Sequence, residues 1–550
     1  MADLSAHVHG KRFGRSQIMA SQYAWMTDWG GTERYPLTVI YPLPSGIAGT
    51  GVDPTNRCLF AYTGLDYDIQ VAAVGGVYPY LYELSNEPAG MTVDAFTGVI
   101  TWTNPQTTAT DVTVRVTDTK GSQSTATWSI SVGTSGWYFV DAVNGNAHST
   151  NGGSGTGTLA NPWLTLDDVY DGSSAGSRVY FRTGTYTPLG LPSSSVDDIN
   201  GEERVDWNDN TRSTIWLAYP NESPVIDYGY VGTGYPYNTG DSVPRFRLSG
   251  DAVYLDGFTT TRSMTMAFQL GRGSRYGVHI RRVTMGTHGP GINGGNSAHL
   301  MWMQMYASGE SHDTPAFGDV IHSCSFSGID DSTATNAGNC ALKLYSWMRG
   351  LIADSDFSDI DTGPEDEAAI AIKSNVSQVE VRGCTFSSDM TTICIGGNMH
   401  NALDDEFEDE QTFGQIRFCN VKGGASHGLT IGHQSGPDFG PWYVERNTFQ
   451  CSVLVDELDS TDSQIIFERN VIVNADGSGT PWRFIQDGPG NTDTSKVTLN
   501  ISSNPELSPT GVENLAGASS DAITDADGEL QGAYRTAFLG THGHEISGAP

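Results

Sequence analysis

The densest group of ionisable side chains in the sequence is the segment DDEFEDE at residues 404–410, which places six carboxylates in seven residues. Two carboxylates held about 5–9 Å apart act as the acid and the base, or as the acid and the nucleophile, in glycoside hydrolysis. Carboxylate oxygens are also the ligands that Ca²⁺ prefers. Asp405 and Glu406 are therefore the first candidates for catalysis in this chain.

Two other segments are acidic and stand beside short apolar runs in the same way. One contains Asp366 and Glu367, and the other contains Asp456 and Glu457. If the apolar runs are neighbouring strands, the three acidic loops overhang one side of the molecule. We expect a carboxylate of one of these two segments to face Asp405 or Glu406 across a groove.

The apolar runs supply a register for the residues that follow them. Their last apolar residues are Leu344, Ile372, Ile395, Ile431, Val455 and Ile485. If these positions are aligned on parallel strands, the residues just after them lie along one edge, about 5 Å apart from strand to strand. The candidate site residues on that edge are Tyr345, Lys373, His433, Asp456 and Glu457.

A second set of runs repeats along the chain and indicates how these strands are held. Eight runs from VYLDGFTT to IIFERNVI align so that one column contains small or polar turn residues and another, two positions later, contains mostly apolar ones. The first column reads Phe258, Val283, Cys324, Ser355, Cys384, Cys419, Asn447 and Asn470. The second reads Thr260, Met285, Phe326, Phe357, Phe386, Val421, Phe449 and Ile472.

The spacings in these columns are 25, 41, 31, 29, 35, 28 and 23 residues. Such a period with variable insertions is typical of a solenoid, in which each coil buries its inward side chains against the coils above and below. The spacing of 41 fits two coils, with a weaker unit near LMWMQMYA. Two aligned strands per coil predict a parallel β-helix, and stacked turn Asn residues predict a hydrogen-bonded ladder.

Residues 137–190 add a family resemblance to this pattern. The order of a DAVNG strand, a glycine-rich loop, NPWLTL and a short helical segment resembles the entry of the pectin-lyase-like parallel β-helix family. The resemblance implies a right-handed solenoid. It also implies chemistry on polysaccharides, since lyases and several phage tailspike hydrolases have this fold. No compact catalytic motif of the pectate- or alginate-lyase subfamilies can be matched residue by residue.

Four interpretations of the acidic edge remain open. The carboxylates could hydrolyse a glycoside, or they could hold Ca²⁺ against a uronate while Lys373 removes its C5 proton, as in polysaccharide lyases. They could instead bind sugar without cutting it, together with Tyr345, Trp347, His433 and Trp442. Finally, the loops could only keep a long solenoid soluble. The histidines are too dispersed for a metal triad, so we predict no such metal centre and name no certain cofactor.

Residues 58–134 differ in character from the solenoid. Alternating β-branched and aromatic runs with short turns predict a small antiparallel β-sandwich. The stretch GGVYPYLYELSNEPAGMTVDAFTGVITW resembles immunoglobulin- or cadherin-like repeats of surface proteins. The predicted fold is thus all-β, a right-handed parallel β-helix preceded by a small Ig-like sandwich. The predicted domains are an arm at 1–55, the sandwich at 56–135, the β-helix at 136–490 and a cap or tail at 491–550.

Composition and charge disfavour some classes of function, namely nucleic-acid binding and a membrane-spanning role. The net charge is 29 minus 63, or −34, which disfavours binding to nucleic-acid phosphates. No run approaches the roughly 18 apolar residues that cross a membrane, and residues 1–17 lack the apolar core of a secretory signal. Seven cysteines without a CxxC pattern predict buried free thiols.

These features favour a phage virion surface protein, namely a tailspike, a fibre or a capsid-decorating spike that meets polysaccharide. Lys11, Arg12 and Arg15 form a small basic arm that would attach to other virion proteins. The resemblance implies a homotrimer. The alternatives are an exported, extracellular bacterial polysaccharide lyase or glycoside hydrolase, and a purely structural decoration protein without catalysis.

Overall fold

The structure is a computed structural model of the chain, and for part of its strands it describes the backbone alone. The described residues are 5–8, 11–14, 35–42, 57–174, 176–188, 195–196, 203–208, 214–229, 245–249, 253–263, 266–271, 278–286, 299–304, 316–330, 340–345, 347–348, 350–361, 368–373, 377–388, 391–395, 412–423, 427–431, 442–450, 452–455, 465–473, 482–484, 497–498, 500–502 and 512–514.

Three long sheets form a right-handed parallel β-helix, as the sequence predicted. In the coils between the two ends, each coil contributes a strand to each sheet, and these strands pair in parallel with the equivalent strands of the next coil. At the start of sheet 3, Ser195–Val196 pairs antiparallel with Glu203–Asn208. Sheet 1 contains Trp137–Val140, Arg178–Phe181, Ile215–Ala218, Val253–Asp256, Val278–Arg281, Val320–His322, Leu351–Ala353, Ser377–Arg382, Thr412–Arg417, Trp442–Glu445, Ile465–Glu468 and Val497–Thr498, with Ala316–Phe317 and Trp347–Met348 beside this path.

The other two sheets complete each coil. Sheet 2 contains Thr185–Tyr186, Val225–Asp227, Thr259–Thr261, Thr284–Met285, Ser325–Asp330, Asp356–Asp361, Thr385–Ser388, Asn420–Gly423, Thr448–Phe449, Val471–Ile472, Asn500–Ser502 and Val512–Asn514. Sheet 3 contains Ser195–Val196, Glu203–Asn208, Arg245–Ser249, Met266–Gly271, His299–Gln304, Cys340–Tyr345, Ala368–Lys373, Thr391–Ile395, His427–Ile431, Ser452–Val455 and Trp482–Phe484. Sheet 1 continues to Thr498 and sheet 2 to Asn514, which are past the predicted end of the β-helix at residue 490.

The apolar column found in the sequence is a continuous stack in sheet 2. Its eight residues are paired in the predicted order, from Thr260 with Met285 to Phe449 with Ile472. Phe357 lies at the middle, with ring centroids 4.8 Å from Phe326 and 4.9 Å from Phe386 and nearly parallel planes. The stack forms because every coil presents the same buried environment to this position.

The turn column is a buried hydrogen-bonded ladder between sheets 1 and 2. The Asn447 side chain accepts from the Cys419 amide at 2.9 Å, and the Asn470 side chain accepts from the Asn447 amide at 3.0 Å. Just before each ladder residue the backbone has a positive φ, for example 49° at Asp354 and 56° at Arg446. This left-handed residue costs a non-glycine side chain about 1–2 kcal/mol, so the ladder bonds help to hold a turn that the chain alone disfavours.

One prediction about the coils is wrong. His279 of the strand Val278–Arg281 pairs directly with Val320 of the strand Val320–His322, so the spacing of 41 residues belongs to one coil. The apolar run near LMWMQMYA is the sheet 3 strand of that same coil, His299–Gln304. A long insertion, and not an extra coil, accounts for the spacing.

A short helix covers the first coil. It runs from Leu166 to Gly172 and begins with a capping box, in which Thr165 accepts from the Asp168 amide and the Asp168 side chain accepts from the Thr165 amide. Trp163, which precedes the helix, is buried against the core and stacks on Tyr138 with 4.6 Å between ring centroids. A 3-10 turn, Ser149–Asn151, packs beside the helix.

The sandwich is mostly antiparallel, as predicted, and only Phe60–Tyr62 pairs in parallel with its neighbour among the described strands of its two sheets. One sheet contains Phe60–Tyr62, Gln123–Gly133, Ala109–Thr117 and Leu81–Ser85, and the other contains Tyr67–Gln70, Val99–Trp102 and Met91–Val93. Thr38–Tyr41 pairs with Ala72–Val74, so part of the segment assigned to the arm joins the sandwich. A 3-10 turn, Arg57–Leu59, begins the domain, and nearer the start of the chain Ser5–Val8 pairs with Lys11–Gly14.

The sandwich packs along the outer face of sheet 1. One outward row of sheet 1 is in register from coil to coil and is buried throughout this contact: Phe139, Tyr180, Leu217, Asp256, Arg281, His322, Ala353, Arg382 and Arg417. Apolar members of this row belong to the same hydrophobic cluster as the sandwich core. The sandwich therefore covers one face of the solenoid and is not a detached spacer.

Candidate functional site

The predicted edge of sheet 3 exists. Leu344, Ile372, Ile395, Ile431 and Val455 are paired in sequence from strand to strand, as the register required. Tyr345 consequently lies directly beside Lys373 on the neighbouring strand. The predicted register is wrong by one residue at the last strand of this edge, because Val455 pairs with Phe484 and not with Ile485.

All six of the carboxylates predicted as catalytic lie outside the described residues. These are Asp366, Glu367, Asp405, Glu406, Asp456 and Glu457, and His433 belongs with them. The strand that follows Glu367, Ala368–Lys373, and the strand that precedes Asp456, Ser452–Val455, both belong to sheet 3 and have two of its strands between them. The catalytic assignment of these side chains, and a Ca²⁺ held by them, remain predictions.

The two tryptophans of the predicted sugar-binding group are not on this edge. Trp347 belongs to sheet 1, where its strand pairs with Ala316–Phe317. Trp442 also belongs to sheet 1 and is fully buried, with its ring packed over Gly414. A contact with sugar requires exposed ring surface, so Trp442 is a residue of the solenoid core.

Sheet 3 carries a row of polar and aromatic residues that the sequence analysis did not align. Residues such as Phe246, Phe268, Leu342 and Ile370 are buried in the solenoid core. The positions that alternate with the buried residues are in register and read Asp206, Arg247, Gln269, Trp302 and Lys343. Five strands at about 4.8 Å spacing make this row about 19 Å long.

The row changes character in the later coils. After Lys343 it continues through Ala371, Cys394, Thr430 and Leu454. Ala371 is buried and packs against Cys340 in a small cluster apart from the solenoid core. The continuous polar and aromatic part of the row therefore spans the first five strands, next to the Tyr345–Lys373 pair, and the row ends at Arg483, which pairs with Leu454.

A cleft of about 780 Å³ lies between the sandwich and the β-helix. Its sandwich wall includes Asp66 and Thr103, and its β-helix wall includes the turn at 219–223 and Arg282. Its size falls in the range of roughly 300–1,000 Å³ that is usual for ligand sites. Its walls come from two separate parts of the chain, residues 57–103 and 180–282, which no shared repeat relates to each other, so sequence reasoning could not find it.

Ion pairs join the two walls at the base of the cleft. Arg282 donates to Asp68 at 3.0 Å and to Asp256 at 2.7 Å, and Arg281 also donates to Asp68. Burial alone would raise the pKa of Asp68, but the positive charges of Arg281 and Arg282 outweigh burial and hold this pKa below its ordinary value. The Asp68 carboxylate is thus a structural anion and is poorly suited to act as a general acid.

Five cysteines whose side chains the structure describes, Cys58, Cys324, Cys340, Cys384 and Cys419, are buried thiols outside any disulfide, as predicted. Within the described ranges, no three His, Cys, Asp or Glu side chains are grouped to hold a metal ion. None of the described helices is long and apolar enough to span a membrane.

Comparisons with known proteins agree with the two-part architecture. Residues 52–133 match the family described as "Putative Ig domain", which confirms the Ig-like identity predicted for the sandwich. Searching curated protein sequences gave no match. Among solved structures, a rhamnogalacturonan lyase is similar, with 13% identity and a TM-score of 0.44 over 74% of this chain and 99% of its own.

Two further solved structures are similar at the level of fold. The pectate lyase Pel9A has 12% identity and a TM-score of 0.37, over 72% of this chain and 87% of its own. The Yersinia enterocolitica family 28 exopolygalacturonase has 11% identity and a TM-score of 0.35, over 78% of this chain and 96% of its own. At such identities the likeness concerns the parallel β-helix fold, which the strand pairing establishes independently.

Proposed function

We propose that this chain is a polysaccharide-binding surface protein of a phage virion, of the tailspike, fibre or capsid-decorating type. The observation that carries the sugar-binding part is the polar and aromatic row of sheet 3, from Asp206 to Lys343, beside the Tyr345–Lys373 pair. Amide and charged groups hydrogen-bond sugar hydroxyls, and aromatic rings offer an apolar surface with a polar end.

The sandwich covers the outer face of sheet 1, and this favours sheet 3 as the sheet that binds polysaccharide. The sandwich buries the outer row of sheet 1 over nine strands, so a long ligand cannot lie there. A linear polymer needs an extended surface with repeated contacts, and the parallel strands of sheet 3 repeat a contact about every 4.8 Å. Arg247, Lys343 and Lys373 are basic positions on a chain with a net charge of −34, which favours an anionic polysaccharide there.

The virion part of the proposal rests on weaker features of the sequence. They are the small basic arm at Lys11, Arg12 and Arg15, the surface-type Ig-like module and the acidic solenoid. In this proposal the arm attaches the protein to other virion proteins, and the protein is a homotrimer. Sedimentation of the purified chain and immunolabelling of particles test the oligomer and the location.

Binding and cleavage are separated by one panel experiment. The purified chain is incubated with host capsular and other anionic polysaccharides, and bound glycan, new reducing ends and ultraviolet absorbance of unsaturated uronates are measured. Bound glycan without products supports a binding protein, reducing ends alone support hydrolysis, and unsaturated products support a lyase. Neither binding nor products with any glycan would contradict the sugar-binding proposal and leave a structural decoration protein.

Variants then locate the site. Trp302→Ala and Tyr345→Ala are expected to weaken binding at least tenfold, since one stacked ring contributes about 1–3 kcal/mol in comparable aromatic recognition. Val143→Ala is a control, because Val143 is 73% exposed and follows the sheet 1 strand Trp137–Val140, so it is not part of sheet 3. If products form, Asp405→Asn and Glu406→Gln test the predicted carboxylates, and full activity in both would exclude them as the catalytic pair.

A further inference from the structure

The cleft between the sandwich and the β-helix has rigid walls. In the turn at 219–223, Glu222 accepts from Arg182 at 2.7 Å and from the Thr183 amide at 2.5 Å. The Glu222 amide in turn donates to the Tyr219 carbonyl at 2.9 Å, which closes the turn. Asn221, at its tip, has a φ of 63°, a left-handed conformation that Asn tolerates better than most residues.

The opposite wall is fixed in the same way. Asp68 is paired with Thr101 across two strands of the sandwich, and both residues line the cleft. Arg282 ties Asp68 to Asp256 of the β-helix across the base. Because both walls are held before any ligand arrives, a ligand would bind without the entropic cost of ordering them.

The chemistry that remains available in the cleft is mostly uncharged. Its exposed lining residues include Thr101, Thr103, Asn221 and Ser223, which offer hydroxyl and amide groups. Tyr219 adds a half-buried aromatic ring whose face is approached by the Arg182 guanidinium at 4.4 Å. Hydroxyl and amide donors beside an aromatic ring are the usual composition of a site for a polar, uncharged ligand.

The charges of the lining act against an anion. Four carboxylates, Asp66, Asp68, Glu222 and Asp256, line the cleft with two guanidinium groups, Arg57 and Arg282, so the lining sums to −2. Three of these carboxylates already accept from arginine, and Asp66 accepts from the Asn104 amide at 3.0 Å. An anionic polymer would meet the carboxylate of Asp66 here, while Arg282 is already paired with Asp68 and Asp256, unlike at the basic positions of sheet 3.

We infer that this cleft is a second carbohydrate site, one that binds a short uncharged oligosaccharide between the sandwich and the β-helix. The inference is independent of the proposal for sheet 3, since it concerns other residues and a ligand of other charge. It gives the Ig-like sandwich a role in binding in addition to its role in covering sheet 1.

The test uses the full chain and four uncharged tetrasaccharides as probes. They are the α-linked and β-linked tetramers of glucose, the tetramer of mannose and the tetramer of N-acetylglucosamine. The tetramer of galacturonic acid is the anionic comparison. Binding is measured by calorimetry. At least one uncharged probe is expected to bind, and the galacturonate tetramer is expected to bind at this cleft at least tenfold more weakly.

Two variants and their matched controls locate the binding. Ser223→Trp places an indole in the cleft and is expected to abolish binding, whereas Ser154→Trp adds the same ring at an exposed position outside it. Asn221→Gly keeps the left-handed backbone, removes the amide and is expected to weaken binding several-fold to tenfold. Asn86→Gly makes the same change at another exposed residue with a positive φ, 57°, and should leave binding unchanged.

The outcomes separate this inference from the proposal for sheet 3. Loss of binding in Ser223→Trp with retention in Ser154→Trp and Tyr345→Ala supports the cleft. Loss in Tyr345→Ala with retention in Ser223→Trp would place the oligosaccharide on sheet 3 and overturn the inference. No binding of any uncharged probe by the full chain would also overturn it, whatever the anionic polysaccharides do.

Discussion

Arg417 lies 2.8 Å from Glu380, and both side chains are buried where the sandwich meets sheet 1. Glu380 also accepts from Arg382 at 2.6 Å and from the Gly75 amide at 3.1 Å. Arg417 in turn donates to the carbonyls of Gly75 and Gly76. One carboxylate thus neutralises two buried guanidinium groups while all three residues bind the backbone or side chains of the sandwich.

Glu380→Gln is expected to loosen the sandwich. The substitution keeps the shape of the side chain but leaves two buried arginines without their counter-ion, and breaking a buried pair in this way costs about 3–5 kcal/mol. The measurement is the unfolding midpoint in denaturant, together with the rate of proteolysis within residues 57–133. Glu83→Gln is the control, because Glu83 pairs with Arg115 at 2.6 Å on an exposed surface and should cost about 1 kcal/mol or less. Equal midpoints for the two variants would contradict the role of Glu380.

The same interface is expected to weaken in acid. His279 is buried between the rings of Tyr41 and Tyr254, with centroids 4.3 and 4.9 Å away. Burial, with the nearby charges of Arg281 and His322, lowers the pKa of His279 well below its ordinary value. The folded protein therefore keeps His279 neutral where the unfolded chain binds a proton, so stability falls as the pH drops below about 6.5.

Asp68 adds to this effect at lower pH, because its lowered pKa gives stability that is lost as the pH falls through the folded value. The effect of His279 is measured as the change of the unfolding midpoint between about pH 7 and pH 5. His279→Phe keeps an aromatic ring in the stack and removes the titrating group, so its midpoint should depend less on pH over this range. The same slope in the variant and the parent chain would show that other groups set the acid sensitivity.

The repeated parts of this structure could be predicted from the sequence, because every coil places equivalent residues in the same environment and so repeats the same pattern. Phe326, Phe357 and Phe386 align because each must stack on the coil beside it. The predicted register of sheet 3 was wrong at one strand. The run WRFI there has two apolar residues at its end, and the strand pairs through Phe484, two residues after Trp482. The cleft could not be predicted, since Asp68 and Arg282 meet through the docking of two domains and not through a repeat. Loop carboxylates such as Asp405 do not recur at an equivalent position in every coil, so no register from the repeat could predict where they lie.

Trp442 is expected to affect folding and not glycan binding. A Cβ at Gly414 would lie 2.1 Å from the Trp442 ring, so Gly414→Ala should cost about 1–3 kcal/mol through overpacking. Trp442→Ala should cost about 3–5 kcal/mol through the cavity that it leaves. Gly133→Ala is the control for the first variant, because no atom lies within 4 Å of a Cβ there. Reduced glycan affinity in Trp442→Ala at a temperature where it remains folded would return this residue to the binding site.

The turn ladder predicts which substitutions of Asn447 the solenoid tolerates. Asn447 accepts from the Cys419 amide at 2.9 Å and donates to the Ile416 carbonyl at 2.9 Å. Ser355 makes the first of these bonds in an earlier coil, since it accepts from the Cys324 amide at 3.1 Å, but its hydroxyl donates to the Ala353 carbonyl of its own turn at 2.9 Å. A hydroxyl can therefore replace the amide as the acceptor at this position of the coil, but does not replace it as the donor to the preceding coil.

Asn447→Ser keeps an acceptor for the Cys419 amide but leaves the Ile416 carbonyl without its donor, so it is expected to lower stability by about 1–3 kcal/mol. Asn447→Val fills similar space but leaves the Cys419 amide and the Ile416 carbonyl buried without partners, at about 1–3 kcal/mol each. Unfolding midpoints in denaturant compare the two variants with the parent chain. If Val is tolerated as well as Ser, the ladder bonds do not stabilise the left-handed turns, and apolar stacking alone must hold the coils in register.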